Sequence, residues 1–125
     1  MILGLIALGG ALGSVARYLT VEGAARLVGP GYPYGTMIAN IIGSTLMGLA
    51  MVILIERFGG EGARWAPGVT VGFLGGYTTF SAFPLDTYLM FEAGRYGAVF
   101  TYVAGSFILS LLGLAIGVTI ARALV

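Results

Sequence analysis

The sequence contains no cysteine, no histidine and no lysine. Without cysteine and histidine there is no disulfide, no thiolate or imidazole metal site, no nucleophile paired with a histidine and no histidine proton relay. Without lysine or any long basic run, the chain offers no positively charged surface to nucleic acid. These absences exclude nucleic-acid binding and much familiar enzyme chemistry. We therefore expect a protein that is not an enzyme.

Charge of either sign is also scarce. Charged residues make up 9% of the 125 residues, hydrophobic residues make up 58%, and the formal net charge is +1. A soluble domain of this size cannot hide so much apolar surface in a single core. Lipid must therefore be the solvent for most of the surface, and the expected class is an all-α membrane protein.

Three stretches have no charged residue and reach the roughly 20 residues that a membrane-spanning helix requires. They are residues 27–55, 65–85 and 96–121. A further apolar stretch at the N-terminus has to accommodate Arg17, and it lacks the basic segment of a signal peptide. We predict one transmembrane domain over residues 1–125 with four spans, at approximately 2–26, 34–56, 66–91 and 96–122.

The connections between the predicted helices are short, at residues 29–33, 56–64 and 92–96. Short loops force successive helices to run antiparallel, so both termini and the 56–64 loop share one side of the membrane. The arginines divide almost equally between the two sides, so the positive-inside rule does not assign an orientation. Either a partner or an unusual loop decides the orientation, or the chain inserts both ways and the two forms pair antiparallel.

Small residues recur at four-residue spacing, in pairs such as Gly9 with Gly13 and Gly113 with Gly117. Glycine lets helix backbones approach closely in lipid, where no hydrophobic force drives association. Such pairs fit packing within one four-helix bundle, and they also fit association between chains. Because four helices enclose hardly any lumen, a conduit for a solute would need a dimer or a larger assembly.

The third predicted helix contains the sequence GGYTTFSAF at residues 75–83, which is a poor place to propagate a helix. We expect it to unwind at residues 75–79, in the middle of the membrane. Carbonyl groups freed there must line a cavity or coordinate a hard cation, because lipid cannot satisfy them. Phe80 and Phe83 follow at helical spacing, which usually indicates packing, whereas ring edges turned toward a pore would favour an anion.

Polar residues inside the predicted spans each need a partner in the protein, a water or a ligand. Asn40 in the second helix either forms a hydrogen bond between helices or belongs to a binding site. In the fourth helix, Tyr102, Ser106 and Ser110 form a hydroxyl stripe at spacing i, i+4, i+8, which we interpret as a track for water or a polar solute. Arg17 either snorkels to the interface or points inward, where it draws anions to a vestibule or fixes the carbonyls of a broken helix.

Three segments resemble the signature segments of the Fluc fluoride channel family. They are GGALGSVARY at 9–18, GTMIANIIGSTLMG at 35–48 and GFLGGYTTFSAF at 72–83, and the resemblance covers essentially the whole chain in order. It implies a multi-pass channel of a prokaryotic inner membrane that passively exports cytoplasmic fluoride and lowers fluoride toxicity. It also implies an antiparallel dual-topology homodimer, so that the expected partners are fluoride, a second copy of the chain and the lipid bilayer.

The resemblance assigns roles to individual residues. It implies that ring edges of the phenylalanines face fluoride, that Asn40 donates to the ion, and that Arg17 lies near the vestibule. The carbonyl groups of Gly75 and Thr78 would hold a structural sodium ion at the dimer interface. The complete fluoride pore that the resemblance implies consists of Asn40, Thr79, Phe80, Ser81, Phe83, Tyr102, Ser106 and Ser110.

The chain departs from the usual family pattern at Ala82, Pro84 and Asp86. Two hydroxyl groups are thereby lost near the break, which changes the local hydrogen bonding. Asp86 is shorter than the glutamate that many members have, so its carboxylate reaches differently.

Two other classes of membrane protein have the same size. A small multidrug-resistance-type exporter also has four spans and dual topology, but proton-coupled export needs a carboxylate deep within a helix. The carboxylates Glu22, Glu56, Asp86 and Glu92 are expected toward helix ends. An accessory subunit of a larger complex would explain the glycine-rich faces, although it would not need a polar track. No phosphate-binding loop is present, so ATP is not expected to drive transport.

Overall fold

The computed structural model describes residues 1–125, and all of its regular structure is helical. Two π-helical segments, Val52–Arg57 and Gly68–Leu74, continue neighbouring helices without a loop. The chain therefore forms four successive helical stretches, of which the third is interrupted. The α-helices are α1 (Ile2–Val28), α2 (Tyr34–Met51), α3 (Gly59–Pro67), α4 (Gly75–Tyr77), α5 (Ala82–Glu92) and α6 (Tyr96–Leu124).

Three of these stretches are long and apolar enough to cross a membrane. They are Ile2–Val28, Tyr34–Arg57 and Tyr96–Leu124, with mean hydropathies of 1.6, 2.2 and 2.2. The remaining stretch, from α3 to α5, is interrupted after Tyr77 and is not one of the three. The prediction of an all-α membrane protein is confirmed at this level, and the three long helices match the predicted bounds closely.

The third stretch begins earlier than the sequence predicts. The prediction of a loop over residues 56–64 is wrong, because α3 begins at Gly59 and only Phe58 separates it from the preceding π-helical segment. A Cβ atom on Gly62 would lie 2.2 Å from the carbonyl oxygen of Leu54, so the missing side chain lets the chain fold back closely here. Tertiary packing thus outweighs the low helix propensity of the glycines.

Glycines bring the helices together in two close pairs. On one side α1 lies against the third stretch, where a Cβ on Gly13 would be 2.1 Å from the carbonyl oxygen of Phe73. On the other side α2 lies along α6, where a Cβ on Gly117 would be 2.1 Å from the carbonyl oxygen of Thr45. No side chain fits such distances, so these glycines are used for packing within the chain.

Most of the chain faces outward. Only 18 of the 125 residues are buried, and large apolar side chains such as Leu8, Leu12, Phe100 and Ile116 are exposed. In water this arrangement would be unstable, whereas in a bilayer the exposed apolar surface is in contact with lipid.

Charged side chains pair near the two ends of the long helices. Arg122, near the end of α6, donates to both carboxylate oxygens of Glu56, at 3.1 and 2.6 Å. At the opposite end of the molecule Arg26 donates to Glu22 at 3.3 Å, and Arg95 donates to the carbonyl oxygen of Gly31. The contacts of Arg122 and Arg95 join separate parts of the chain, whereas Arg26 and Glu22 pair within α1.

Candidate functional site

The third stretch is interrupted between Tyr77 and Ala82. Thr78 leaves the helical conformation, with φ −83° and ψ 160°. Its backbone N–H and its hydroxyl both donate to the carbonyl oxygen of Leu74, each at 2.9 Å. The helix therefore stops at a defined residue, and the chain runs on for a short distance before α5 begins.

The interruption lies slightly later than the sequence predicts. Gly75 and Gly76 were expected to unwind, but both are helical. A Cβ on Gly76 would be 2.7 Å from the carbonyl oxygen of Gly10, so this glycine allows α4 to pack closely on α1. Gly76 thus serves packing, and the helix ends just beyond the two glycines.

Asn40 of α2 pairs with the backbone of Thr79 at the interruption. Its side-chain Nδ2 donates to the carbonyl oxygen of Thr79 at 3.1 Å, and its Oδ1 accepts from the N–H of Thr79 at 2.8 Å. One side chain thus supplies both hydrogen bonds that the backbone of Thr79 loses on leaving the helix. The pairing satisfies two polar groups that lipid cannot satisfy.

The first turn of α5 is adapted to the start of a helix. The hydroxyl of Thr79 accepts from the N–H of Ala82 at 3.1 Å, and it lies 3.4 Å from the hydroxyl of Ser81. Pro84 falls within this first turn, where its missing N–H removes no helical hydrogen bond. Two of the departures from the family pattern, Ala82 and Pro84, are therefore compatible with the local structure.

Arg17 of α1 also reaches the interrupted stretch. Its Nε donates to the carbonyl oxygen of Gly76 at 3.1 Å, and the contact is partly buried. Of the interpretations left open by the sequence, the geometry favours an arginine that fixes a backbone carbonyl near the break over one that snorkels to the interface. Glu22 and Arg26 pair with each other and do not draw Arg17 outward.

Several carbonyl oxygens near the interruption, among them those of Gly75, Tyr77 and Thr78, have no partner within the chain. No hydrogen bond ends on the carbonyl oxygen of Gly75 or of Thr78, although both belong to a segment rich in such bonds. Gly75 also lies on the exposed side of the chain. No cluster of three or more acidic, histidine or cysteine side chains is placed to hold a metal ion. The oxygen atoms in this region belong to backbone carbonyl groups and to the hydroxyl groups of Thr78, Thr79 and Ser81.

A groove of about 370 Å³ opens beside the interruption. It brings together residues from α2, from the break and from α6, and six of the eight predicted pore residues lie in its wall. The two others, Ser81 and Tyr102, are not part of this wall. The predicted residues that line it are Asn40, Thr79, Phe80, Phe83, Ser106 and Ser110.

The two phenylalanines have different surroundings. Phe80 is 84% exposed in the single chain, so one side of the groove is open. The ring of Phe83 lies 6.3 Å from that of Phe80 and 5.2 Å from that of Tyr102, measured between centroids. Phe83 is thus held by packing against α6, whereas Phe80 has few contacts within the chain.

Ser106 carries the only buried side-chain oxygen that has no hydrogen-bond partner. A serine within a helix commonly bonds back to a carbonyl one turn earlier, as Thr119 does to Ala115 at 2.8 Å in the same helix. The Ser106 hydroxyl makes no such bond, although it lines the groove together with Ser110. A buried hydroxyl left free beside a cavity is a group available to a water or an ion.

Tyr102 is fully buried at one end of the hydroxyl stripe. Its hydroxyl donates to Oδ2 of Asp86 at 3.0 Å, and its ring lies nearly perpendicular to that of Tyr32, with centroids 5.9 Å apart. The shorter Asp86 therefore reaches a specific partner on α6. Asp86 also lines a second cavity of about 360 Å³, which lies toward the loop at residues 29–33.

Several residues of the groove wall were not predicted from the sequence. A Cβ on Gly43 would lie 2.3 Å from Cγ2 of Thr78, so this glycine is what allows the broken segment to seat against α2. Gly43 follows Asn40 at i+3, a spacing that places both on one face of a helix and was available as a signal. The other unpredicted residues are Ser44, Met47, Phe107, Leu111 and Leu114.

These observations define a class of protein. A small helical chain with lipid-suited surfaces, an interrupted helix and a groove that combines hydroxyl, amide and aromatic groups is a polytopic membrane protein built to handle a small polar solute. The chain belongs to the family described as CrcB-like protein, Camphor Resistance (CrcB), whose profile matches residues 4–118.

Individual relatives are similar over nearly their whole length. The chain is 50% identical over 117 residues to the fluoride-specific ion channel FluC of Cereibacter sphaeroides (strain ATCC 17029 / ATH 2.4.9), covering 94% of this chain and 91% of that protein. It is 48% identical over 118 residues to the protein of the same name from Caulobacter vibrioides (strain NA1000 / CB15N), covering 94% and 93%. With that of Mesorhizobium japonicum it shares 45% identity over 120 residues, covering 96% and 95%. The resemblance inferred from the three sequence segments is confirmed.

Proposed function

We propose that the protein is a fluoride-selective channel that lets cytoplasmic fluoride leave the cell passively across the inner membrane. The names of its relatives support this proposal, since they match the chain from end to end. An inside-negative potential favours exit of an anion by roughly 2.3 kcal/mol per 100 mV, so no further energy source is needed. Such a channel lowers the toxicity of fluoride.

The observation that carries the proposal is the groove with its free hydroxyl. Fluoride is small and strongly hydrated, so a selective path has to replace its water with hydrogen-bond donors. Ser106 supplies a buried hydroxyl without a partner, and Ser110 lies in the same wall. The positive ring edges of Phe80 and Phe83 add weak attraction for an anion. In this proposal the ion passes along these groups, and Arg17 raises the local concentration of anions near the entrance.

We extend the proposal to an assembly of two antiparallel copies, each with four spans. A single chain leaves the groove open and Phe80 84% exposed, which a second copy would cover. The arginines near the ends are balanced, with Arg57, Arg64 and Arg122 toward one end against Arg26 and Arg95 toward the other. Such a balance permits insertion in both orientations. Reporter domains fused to the C-terminus are expected to report both sides of the membrane, and a single orientation would contradict dual topology.

A sodium ion fits the proposal as a structural component. The carbonyl oxygens of Gly75 and Thr78 have no partner within the chain, and Na⁺ is a hard cation that prefers oxygen ligands. The ion would neutralise the partial negative charge of these carbonyls where two copies meet. Replacing sodium by N-methylglucamine should lower the melting temperature of the assembly, and an unchanged melting temperature would contradict the sodium site.

The function is tested with purified protein in liposomes loaded with potassium fluoride. A fluoride electrode follows efflux after a potassium ionophore is added, and parallel vesicles loaded with chloride measure selectivity. We expect rapid release of fluoride without release of chloride. Phe83→Ile should slow the release, because it removes a ring from the wall of the groove. Phe100→Ile serves as the matched control, since Phe100 is exposed and lies outside the groove.

The same preparation separates the alternative classes. A proton-coupled exporter would carry a cationic dye in response to a pH gradient and would leave fluoride in the vesicles. An accessory subunit would move neither solute. Retention of fluoride by folded wild-type protein contradicts the proposed function.

A further inference from the structure

We propose that Asn40 is a positioning residue that holds the interrupted helix in place, and that this contact fixes the orientation of its amide relative to the groove. The first half of the inference stands on the contact with Thr79 alone. The second half rests on the proposed function, because it concerns the ion that the groove would take.

The contact is a two-bond pairing between a side chain and a backbone. Nδ2 of Asn40 donates to the carbonyl oxygen of Thr79, and Oδ1 accepts from the N–H of the same residue. This is how two residues in neighbouring antiparallel strands exchange hydrogen bonds. Asparagine is the smallest side chain that carries both a donor and an acceptor in this arrangement. It therefore replaces the two helical bonds that Thr79 has lost.

Gly43, on the same face of α2, adds a second contact that holds the interruption. Gly43, one turn after Asn40, has no side chain, and the Cγ2 methyl of Thr78 occupies the space that a Cβ would need. Asn40 and Gly43 thus hold consecutive residues of the interruption from the same side of α2. The position of Thr78 and Thr79 is set by α2 as well as by their own helix.

The pairing also determines which way the amide faces. An asparagine that is free to flip can present either its oxygen or its nitrogen to an ion. Here a flip would place Oδ1 against the carbonyl oxygen of Thr79 and Nδ2 against its N–H, so both bonds would become repulsive. The flipped state is excluded, and the amide keeps one N–H of Nδ2 and one lone pair of Oδ1 that Thr79 does not use. Asn40 lines the groove, and an amide held in one orientation cannot turn its paired side toward an ion there.

Amide hydrogen exchange in ¹⁵N-labelled protein tests the pairing without reference to transport. The N–H of Thr78, which bonds to Leu74, serves as an internal reference in the same molecule. We expect Asn40→Ala to speed exchange at Thr79 about tenfold relative to Thr78, the loss of one net hydrogen bond. Ser44→Ala is the matched control on the same face of α2, and it should leave the ratio unchanged. An unchanged ratio in Asn40→Ala overturns the positioning role.

Asn40→Asp provides a second test that remains valid if Asn40→Ala does not fold. A carboxylate keeps the acceptor for the N–H of Thr79 but opposes its carbonyl oxygen, whereas a protonated carboxyl regains a donor. The exchange ratio of Thr79 to Thr78 should therefore be high when the introduced aspartate is charged and fall back toward the wild-type value on acidification. The wild-type ratio should not change over the same range. A ratio in the variant that does not depend on pH overturns the pairing.

Fluoride titration of the wild-type protein tests the fixed orientation. We expect fluoride to shift the side-chain NH₂ resonances of Asn40 while Thr79 stays protected from exchange. Loss of that protection on adding fluoride would show that the amide turns to the ion, which overturns the locked orientation. If vesicles instead retain fluoride while Asn40→Ala still exposes Thr79, the channel proposal fails and the positioning role stands.

Discussion

Nε of Arg17 donates a 3.1 Å hydrogen bond to the carbonyl oxygen of Gly76, one residue before the buried Tyr77 that ends α4. The two residues are 59 positions apart in the chain. A charged donor thus holds the end of a helix whose carbonyls have lost their partners. Asn40 of α2 bonds to Thr79 in the same segment, so side chains from both α1 and α2 hold the interruption.

Removing the Arg17 guanidinium should destabilise the fold. Arg17→Ala leaves the carbonyl of Gly76 without its partner, and hydrogen bonds to charged groups contribute about 1.5–3 kcal/mol. We expect a loss of this order in the free energy of unfolding, measured by denaturant titration in detergent micelles. Arg26→Ala is the matched control, because its pair with Glu22 is exposed and should contribute little. Equal stability of the two variants would contradict the role assigned to Arg17.

A methyl group at Gly43 should displace the interruption. In Gly43→Ala the new Cβ would lie 2.3 Å from Cγ2 of Thr78, and such overpacking costs about 1–3 kcal/mol. Fluoride efflux from liposomes should fall together with the free energy of unfolding. Gly23→Ala is the control in α1, where a Cβ meets no atom within 4 Å.

The clash at Gly43 can be relieved by a second substitution. Thr78→Ser removes the Cγ2 methyl and retains the hydroxyl that bonds to Leu74. The double variant Gly43→Ala with Thr78→Ser should therefore recover most of the stability that Gly43→Ala loses, as a double-mutant cycle measures. Strict additivity of the two substitutions would show that the methyl contact is not the cause.

Loss of the Ser106 hydroxyl should separate transport from stability. Ser106→Ala removes a buried polar atom that has no partner, so the protein should become more stable by up to about 1 kcal/mol. Fluoride efflux should nevertheless decrease, because the ion loses a donor. Thr119→Ala, on an exposed and internally bonded residue of the same helix, should change neither quantity. A decrease in stability for Ser106→Ala would indicate that the hydroxyl has a structural partner.

Tyr102 and Asp86 should depend on each other. Tyr102→Phe removes the donor to the Asp86 carboxylate in a buried setting, and we expect a loss of about 1–3 kcal/mol in the free energy of unfolding. Tyr88→Phe is the control, because the Tyr88 hydroxyl donates to Glu92 at an exposed site. An equal loss in the two tyrosine variants would contradict a larger contribution of the buried Tyr102 contact to the free energy of unfolding.

Much of the helical architecture follows from periodicity and charge alone. The helices α1, α2 and α6 begin where the sequence predicts, because long stretches without charge leave few alternatives in a membrane protein. The start of the third stretch does not follow, because Glu61, Arg64 and the nearby glycines are typical of a loop. The close approach of Gly62 to the carbonyl oxygen of Leu54 in that segment involves residues whose proximity is a result of folding.

The candidate site was also predictable in part from the sequence. Six of the predicted pore residues share one groove: the signature segments mark four of them, and the hydroxyl stripe of the last helix marks Ser106 and Ser110. The pairing of Asn40 with Thr79, and the seat of Thr78 on Gly43, depend on the register of α2 against the third stretch. A single sequence does not specify that register. The glycines at 75 and 76 also carried a misleading signal, since both are helical and Gly76 is needed where α4 packs on α1.

The interruption between Tyr77 and Ala82 has an electrostatic consequence for the whole molecule. It sets the C-terminal end of one helical stretch beside the N-terminal end of another, and helix dipoles give these ends opposite partial charges. Within a few residues the backbone therefore offers a negative pole to a cation and a positive pole to an anion. A protein with almost no formal charge inside the membrane obtains in this way a local field of both signs.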